Sequence, residues 1–135
     1  MLTRVDPGPA VVVCNSCRHS RDAQVDAGGV RGGARLLAAL REAKTVEPRY
    51  AGIAVQDMAC LFACQDFCTV HLRAPGKIGY VLGRFGGDAD AARAILDYAV
   101  HYAASDDGRV AYALWPEGVK GHFITRIPPP GWIAE

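Results

Sequence analysis

Residues 10–13 form a short β-branched apolar run, Ala-Val-Val-Val, that ends at Cys14 and predicts a strand. Residues 15–33 are polar and include Gly28, Gly29, Gly32 and Gly33, which is loop composition. Over residues 33–44, Leu36, Leu37 and Leu40 fall on one helical face with Arg35 and Arg41 outside it, and Pro48 closes the region. Residues 51–55 predict a second short strand. In residues 69–73, Val70 and Leu72 alternate with Thr69, His71 and Arg73, the period of a strand. Ala74-Pro75-Gly76-Lys77 is a turn signal, and residues 78–85 predict the returning strand of a hairpin. The clearest helix covers residues 88–105. There Ala92, Ile95, Leu96, Ala99, Val100 and Ala103 make one apolar stripe, Asp88 is placed to cap the N-terminus, and Asp90 suits the positive end of the dipole. Asp107-Gly108 ends it. Two more apolar stretches, residues 110–115 and 122–127, precede Pro128-Pro129-Pro130, where the ordered part is expected to stop. No internal repeat is present.

The order strand, helix, strand, hairpin, helix predicts an α/β sandwich with a mixed sheet and flanking helices, built as one domain over residues 1–135. The first helix would join the first two strands as a parallel pair through a right-handed crossover.

Charge narrows the function. Fifteen basic residues nearly balance fourteen acidic ones, for a formal net charge of +1. That gives no electrostatic case for nucleic acid or an anionic membrane. No apolar run is long enough to span a bilayer, and residues 1–9, with Arg4, Asp6 and two prolines, lack the apolar region of a secretion signal. The expected location is the cytoplasm. Thiols there are kept reduced, so closely spaced cysteines point to metal or redox chemistry, and five cysteines fit poorly with a set of structural disulfides.

The five fall in two groups, Cys14-x2-Cys17 and Cys60-x3-Cys64-x3-Cys68. The first group directly follows a strand and the second lies between two strands. If the first two strands are parallel, their C-terminal ends share one edge of the sheet and bring Cys14 to Cys60, which predicts a single site. Thiolates are soft ligands, which restricts the metal to zinc, copper(I) or iron–sulfur. Four thiolates suit structural zinc or a 2Fe–2S cluster. Leu61, Phe62 and Phe67 would limit water access, and that favours iron–sulfur. Cys68 is either a further metal contact or a non-ligating thiol at the start of a strand.

The segment Cys60-Leu61-Phe62-Ala63-Cys64, with Pro75-Gly76-Lys77 and Gly79-Tyr80-Val81-Leu82-Gly83 beyond it, resembles the second half of the thioredoxin-like 2Fe–2S ferredoxins. More closely, the chain resembles a bacterial family of small predicted metal-binding proteins. The features that carry this are Cys14-x2-Cys17, the triple Cys60/Cys64/Cys68, Gly76-Lys77-x2-Tyr80, Asp97-Tyr98-Ala99, Ser105-x2-Gly108 and Arg126-Ile127-Pro128, spread over nearly the whole chain. The resemblance implies a thioredoxin-like fold, a site at Cys14, Cys17, Cys60 and Cys64, and an association with cobalamin and cobalt metabolism. The chain departs from the ferredoxins in the shorter gap between its first two cysteines and in having Cys68.

Three functions follow as expectations. The first is a ferredoxin-like electron-transfer protein carrying a 2Fe–2S cluster, with a redox protein as partner. The second is a zinc or cobalt binding and delivery protein with a metal-acceptor partner, helped by Cys68 or His19. The third is a thiol oxidoreductase using Cys14 and Cys17, against which stands the long loop, rather than a helix, after Cys17. His19 and His71 are weighed as ligands but read better as loop and outward strand residues, and His101 and His122 as surface positions. Arg18, Arg21 and Arg31 are expected near the first cysteine pair. The glycines before the first helix lack any P-loop pattern, and no Ser/His/Asp set or paired carboxylates suggest an enzyme. An exposed sheet edge and the aromatic tail leave room for a homodimer.

Overall fold

The structure, a computed structural model, describes residues 1–135. Strand β1 (Ala10–Cys14) is joined through helix α1 (Gly32–Val46) to strand β2 (Ala54–Met58). Strands β3 (Val70–Arg73) and β4 (Gly79–Leu82) form the hairpin, helix α2 (Ala89–Ala104) follows, and strand β5 (Phe123–Ile127) completes the sheet. The strand order is β2-β1-β3-β4-β5. As the pattern predicts, β1 and β2 are parallel and the other pairings are antiparallel, so the sheet is mixed.

The elements form for local reasons. In α1, Leu36, Leu40 and Ala43 are buried at i, i+4 and i+7, one face of the helix. In α2 the buried set includes Ala92, Ile95, Leu96 and Ala99, while Val100 and Ala103 pack partly against the same core. The Asp88 carboxylate accepts the Ala91 N–H at 2.8 Å, the expected N-cap. In the hairpin turn, Pro75 and Gly76 (φ 73°) occupy the central positions that a type II turn requires.

Both helices pack on one face of the sheet and against each other. Val11 and Val13 of β1, Val70 and Leu72 of β3 and Leu82 of β4 meet them there. The opposite face carries the register row Gln56, Val12, His71, Val81 and Thr125. His71 is half-buried in it, and burial, with Arg73 beside it, lowers its pKa below the ordinary value. No helix is long and apolar enough to cross a membrane.

The second strand differs from the sequence expectation. It covers Ala54–Met58 rather than residues 51–55. A 3-10 turn at Pro48–Tyr50 and the turn after it consume those residues, because burying Tyr50 beneath the sheet's end absorbs chain before β2 starts. The Tyr50 hydroxyl donates to Asp97 of α2 at 2.5 Å and holds the turn in place. The shift moves the end of β2 three residues closer to Cys60. The stretch over residues 110–115 contains a 3-10 turn at Tyr112–Leu114, and Trp115 stacks at a tilt on Phe123, 4.6 Å between ring centres.

Leu40 is fully buried between α1 and the sheet. Leu40→Ala should lower unfolding stability by about 2–5 kcal/mol in urea titrations, the range for a leucine cavity that cannot collapse.

Candidate metal centre

The parallel pairing of β1 with β2 makes Cys14 the register partner of Met58, so two chain segments leave the sheet side by side. The first turns at once. The Cys17 N–H donates to the Cys14 carbonyl at 3.4 Å, and the Asn15 N–H donates to the Met58 carbonyl at 3.0 Å. The second segment crosses back over this turn, where the Ser16 hydroxyl donates to the Ala59 carbonyl. Cys60 follows immediately.

Helix α1 then closes the underside. The Gly33 N–H donates to the Cys17 carbonyl at 3.1 Å. A β-carbon on Gly33 would stand 1.9 Å from the Cys14 carbonyl oxygen, and one on Gly32 would stand 2.7 Å from the Cys68 sulfur. These two glycines let the helix start touch the cysteine turn, which accounts for them without phosphate binding. Although the loop after Cys17 is long, α1 does return beside it. Its first free N–H, however, is spent on a carbonyl and not on a thiolate.

The sulfurs sit as two neighbouring pairs. The Cys60 and Cys64 sulfurs are 3.6 Å apart. A tetrahedral metal with bonds of about 2.3 Å sets two sulfurs about 3.8 Å apart, so this pair has the spacing of two ligands on one ion. Cys14 and Cys17 form the second pair. Burial alone would raise the Cys14 pKa, yet hydrogen bonds from the Cys17 thiol and from the Leu61 and Ser16 N–H groups outweigh it and leave the pKa below the ordinary thiol value. Burial raises the pKa of Cys17, as does its role as donor to Cys14, although the Thr69 N–H reaches its sulfur at 3.4 Å and the Thr69 hydroxyl lies 3.3 Å away. The Phe62 N–H donates to the Cys60 sulfur at 3.2 Å. Cys64 has its pKa raised first by its hydrogen bond with Cys60, then by the Cys60 charge, and Cys14 adds to this across the gap. No three His, Cys, Asp or Glu side chains converge on one point.

Cys14 and Cys17 are buried, Cys60 is half-buried and Cys64 is exposed, so the site has a protein side and a solvent side. Cys68 shares no hydrogen bond with either pair, although the Cys17 and Cys14 charges add to burial in raising its pKa. It is fully buried in the core, its thiol donates to the Arg18 carbonyl at 3.5 Å, and burial pushes its pKa up to about 12. His19 is exposed in the loop, whereas His122 stacks on Phe85 with its Nδ1 2.8 Å from the Gly83 carbonyl oxygen, which ties it to the hairpin.

The second cysteine loop is held in a demanding shape. Phe62 (φ 60°), Cys68 (φ 53°) and Arg84 (φ 64°) are non-glycine residues in the left-handed region. Each costs about 1–3 kcal/mol, which the surrounding contacts must offset. Arg84 does much of that holding: its N–H donates to the Asp66 and Phe67 carbonyls, and its guanidinium pairs with the Asp66 carboxylate at 2.8 Å. Sequence reasoning did not find Ser16, Thr69 or Arg84 as supports. Thr69 adjoins Cys68, which was a faint signal, but nothing in the spacing shows where an N–H or hydroxyl will point.

A mixed sheet in this order, with the first cysteine pair just beyond the parallel edge, makes this a thioredoxin-like α/β protein. Among solved structures it is similar to a thioredoxin-like [2Fe-2S] ferredoxin from Aquifex aeolicus, with a TM-score of 0.57 over 95% of this chain and 100% of that one, at 18% identity. The chain belongs to the family described as protein of unknown function (DUF1636), whose model matches residues 11–129. No curated protein matches it.

Exposure sets thiol reactivity in the folded, metal-free protein. Iodoacetamide at pH 8 should label Cys60 and Cys64 first and Cys68 last, read by mass spectrometry of the digested protein. Burial holds Cys68 in its thiol form at that pH and shields its side chain from solvent.

Proposed function

We propose that the chain binds a 2Fe–2S cluster through Cys14, Cys17, Cys60 and Cys64 and acts as a ferredoxin-like electron carrier. The observation that carries this is the placement of two cysteine pairs at one edge of the sheet, one pair already at 3.6 Å. Two pairs match one pair of thiolates per iron, whereas a single zinc ion needs all four sulfurs about 3.8 Å from one another. The solved ferredoxin with the same fold adds to the case.

The donor set fits the group. The N–H groups of Leu61, Phe62 and Thr69 point at sulfur and stabilise the thiolate form of the ligands. Such bonds also raise the potential of a bound cluster. When bound, a 2Fe–2S cluster supplies one-electron transfer. The protein's own residues do the rest. Cys14 and Cys17 anchor the buried side, and Leu61 and Phe67 restrict water. Cys60 and Cys64 form the side nearest solvent, where an electron has the shortest path out. Cys68 takes a packing role in this arrangement.

Protein purified without oxygen should be brown, contain two irons and two acid-labile sulfides per chain, and bleach on reduction. Cys60→Ser and Cys17→Ser should each remove or strongly shift the visible bands. Cys68→Ala should keep them while lowering stability by about 1 kcal/mol, the size of a small core truncation. A colourless protein with one zinc per chain, or loss of the bands in Cys68→Ala with the fold intact, would overturn the assignment.

A further inference from the structure

Phe62 lies between two of the cysteines assigned above, and the residue is 96% exposed. A bulky residue at φ 60° is rare, and here the backbone shape serves the N–H bond to the Cys60 sulfur, a task that glycine or asparagine performs with less strain. The phenyl ring is therefore not required by the loop and packs on nothing. Met58, also exposed at 47%, stands beside Cys14 at the end of β2, and half-buried Leu61 adjoins Phe62 in the chain. Large apolar side chains gathered at an exposed tip are the usual centre of a contact surface.

The charges around this tip are one-sided. Arg18 and Arg21 line a cavity of about 410 Å³ together with Cys64, Gln65, Asp66 and Phe67. The Arg31 guanidinium lies on the Ser16 carbonyl at 3.0 Å, inside the first cysteine turn. None of these three arginines forms an ion pair, although most other arginines of the chain do. The nearby carboxylates are already taken: Asp66 by Arg84, and Asp57 by Asn15 at 2.6 Å and Arg41 at 3.1 Å. Asp22 follows Arg21 in the loop and is the counter-charge that remains. Arg18 Nε is shielded from water and has no hydrogen-bond acceptor, so its donor capacity is unmet.

From this juxtaposition we infer that the Phe62 tip, rimmed by Arg18, Arg21 and Arg31, is the docking surface for an acidic redox protein that presents an apolar pocket ringed by carboxylates. The inference rests on the electron-carrier assignment, because the surface covers the exposed Cys60/Cys64 side of the site. The chain's overall charge is almost neutral, so steering must come from this local patch rather than from the whole protein. A basic patch that served only to balance a thiolate cluster would need no exposed aromatic ring at its centre.

The test uses full-length protein, purified without oxygen, with iron and sulfide measured first. Flavodoxin serves as the acidic redox probe, and binding is read by calorimetry and by NMR shift mapping at low and high salt. Wild type should bind with shifts centred on residues 58–64, and the affinity should fall about tenfold as salt rises from about 50 to 200 mM. Phe62→Gly, which keeps the backbone N–H and suits the backbone at that position, should weaken binding about tenfold, with the iron and sulfide content of the variant measured beside it so that binding is compared at equal loading. Arg18→Glu with Arg21→Glu should weaken it by at least as much. Arg126→Glu, an equal charge change on β5, should leave it unaltered. Equal loss from Arg126→Glu, or full binding by both tip variants, would overturn the inference. So would an Arg18/Arg21 variant whose reduction potential moves while its binding stays. Protein that holds no cluster but still loses binding in the tip variants would uphold the surface and reject the electron-carrier assignment.

Discussion

The parallel pairing of β1 with β2 is the constraint on which the cysteine site depends. Two parallel strands leave their sheet in the same direction, and the register Cys14 with Met58 makes them leave at the same height. Everything beyond that edge is short. Cys17 is one turn past Cys14, and Cys60 is two residues past Met58. A one-residue slip would send the Cys14 side chain to the other face of the sheet and separate the pairs. The register is held by the buried faces of β1, where Val11 and Val13 meet the helices, and by antiparallel pairing with β3 on the other side.

Helix α1 serves both the fold and the site. Its apolar face, Leu36 and Leu40, covers the sheet, and its glycine start lies against the Cys14–Cys17 turn. The same helix therefore supplies the crossover that makes β1 and β2 parallel and the floor on which the first cysteine pair rests. The second pair has no such floor. It depends on a loop that Arg84 ties down through the Asp66 and Phe67 carbonyls and the Asp66 carboxylate, and that loop is the more exposed half. The cysteine site therefore has a buried half and an open half.

Cys68 shows how sequence spacing and tertiary placement diverge. Its three-residue separation from Cys64 looks like a ligand interval, the same as that between Cys60 and Cys64. The chain, however, enters β3 immediately afterwards, and a left-handed backbone at Cys68 turns its sulfur inward toward Gly32 and the Arg18 carbonyl. There burial disfavours the thiolate that metal binding needs.

The amino-acid pattern by itself determined the helices, the hairpin and the strand that delivers Cys14, because those rest on periodicity and on local signals such as Asp88 and Pro75-Gly76. It also determined that β1 and β2 run parallel, since a helix joins them, and hence that the two cysteine groups meet. It misplaced β2 by three residues because the burial of Tyr50 is a long-range choice, made with Asp97 of α2. Only the tertiary structure decided which sulfurs face one another, which N–H groups reach them, and that Phe62 stands in solvent while Cys68 does not. Those outcomes depend on loop backbone angles set by distant partners such as Arg84, and residue spacing carries no record of an angle.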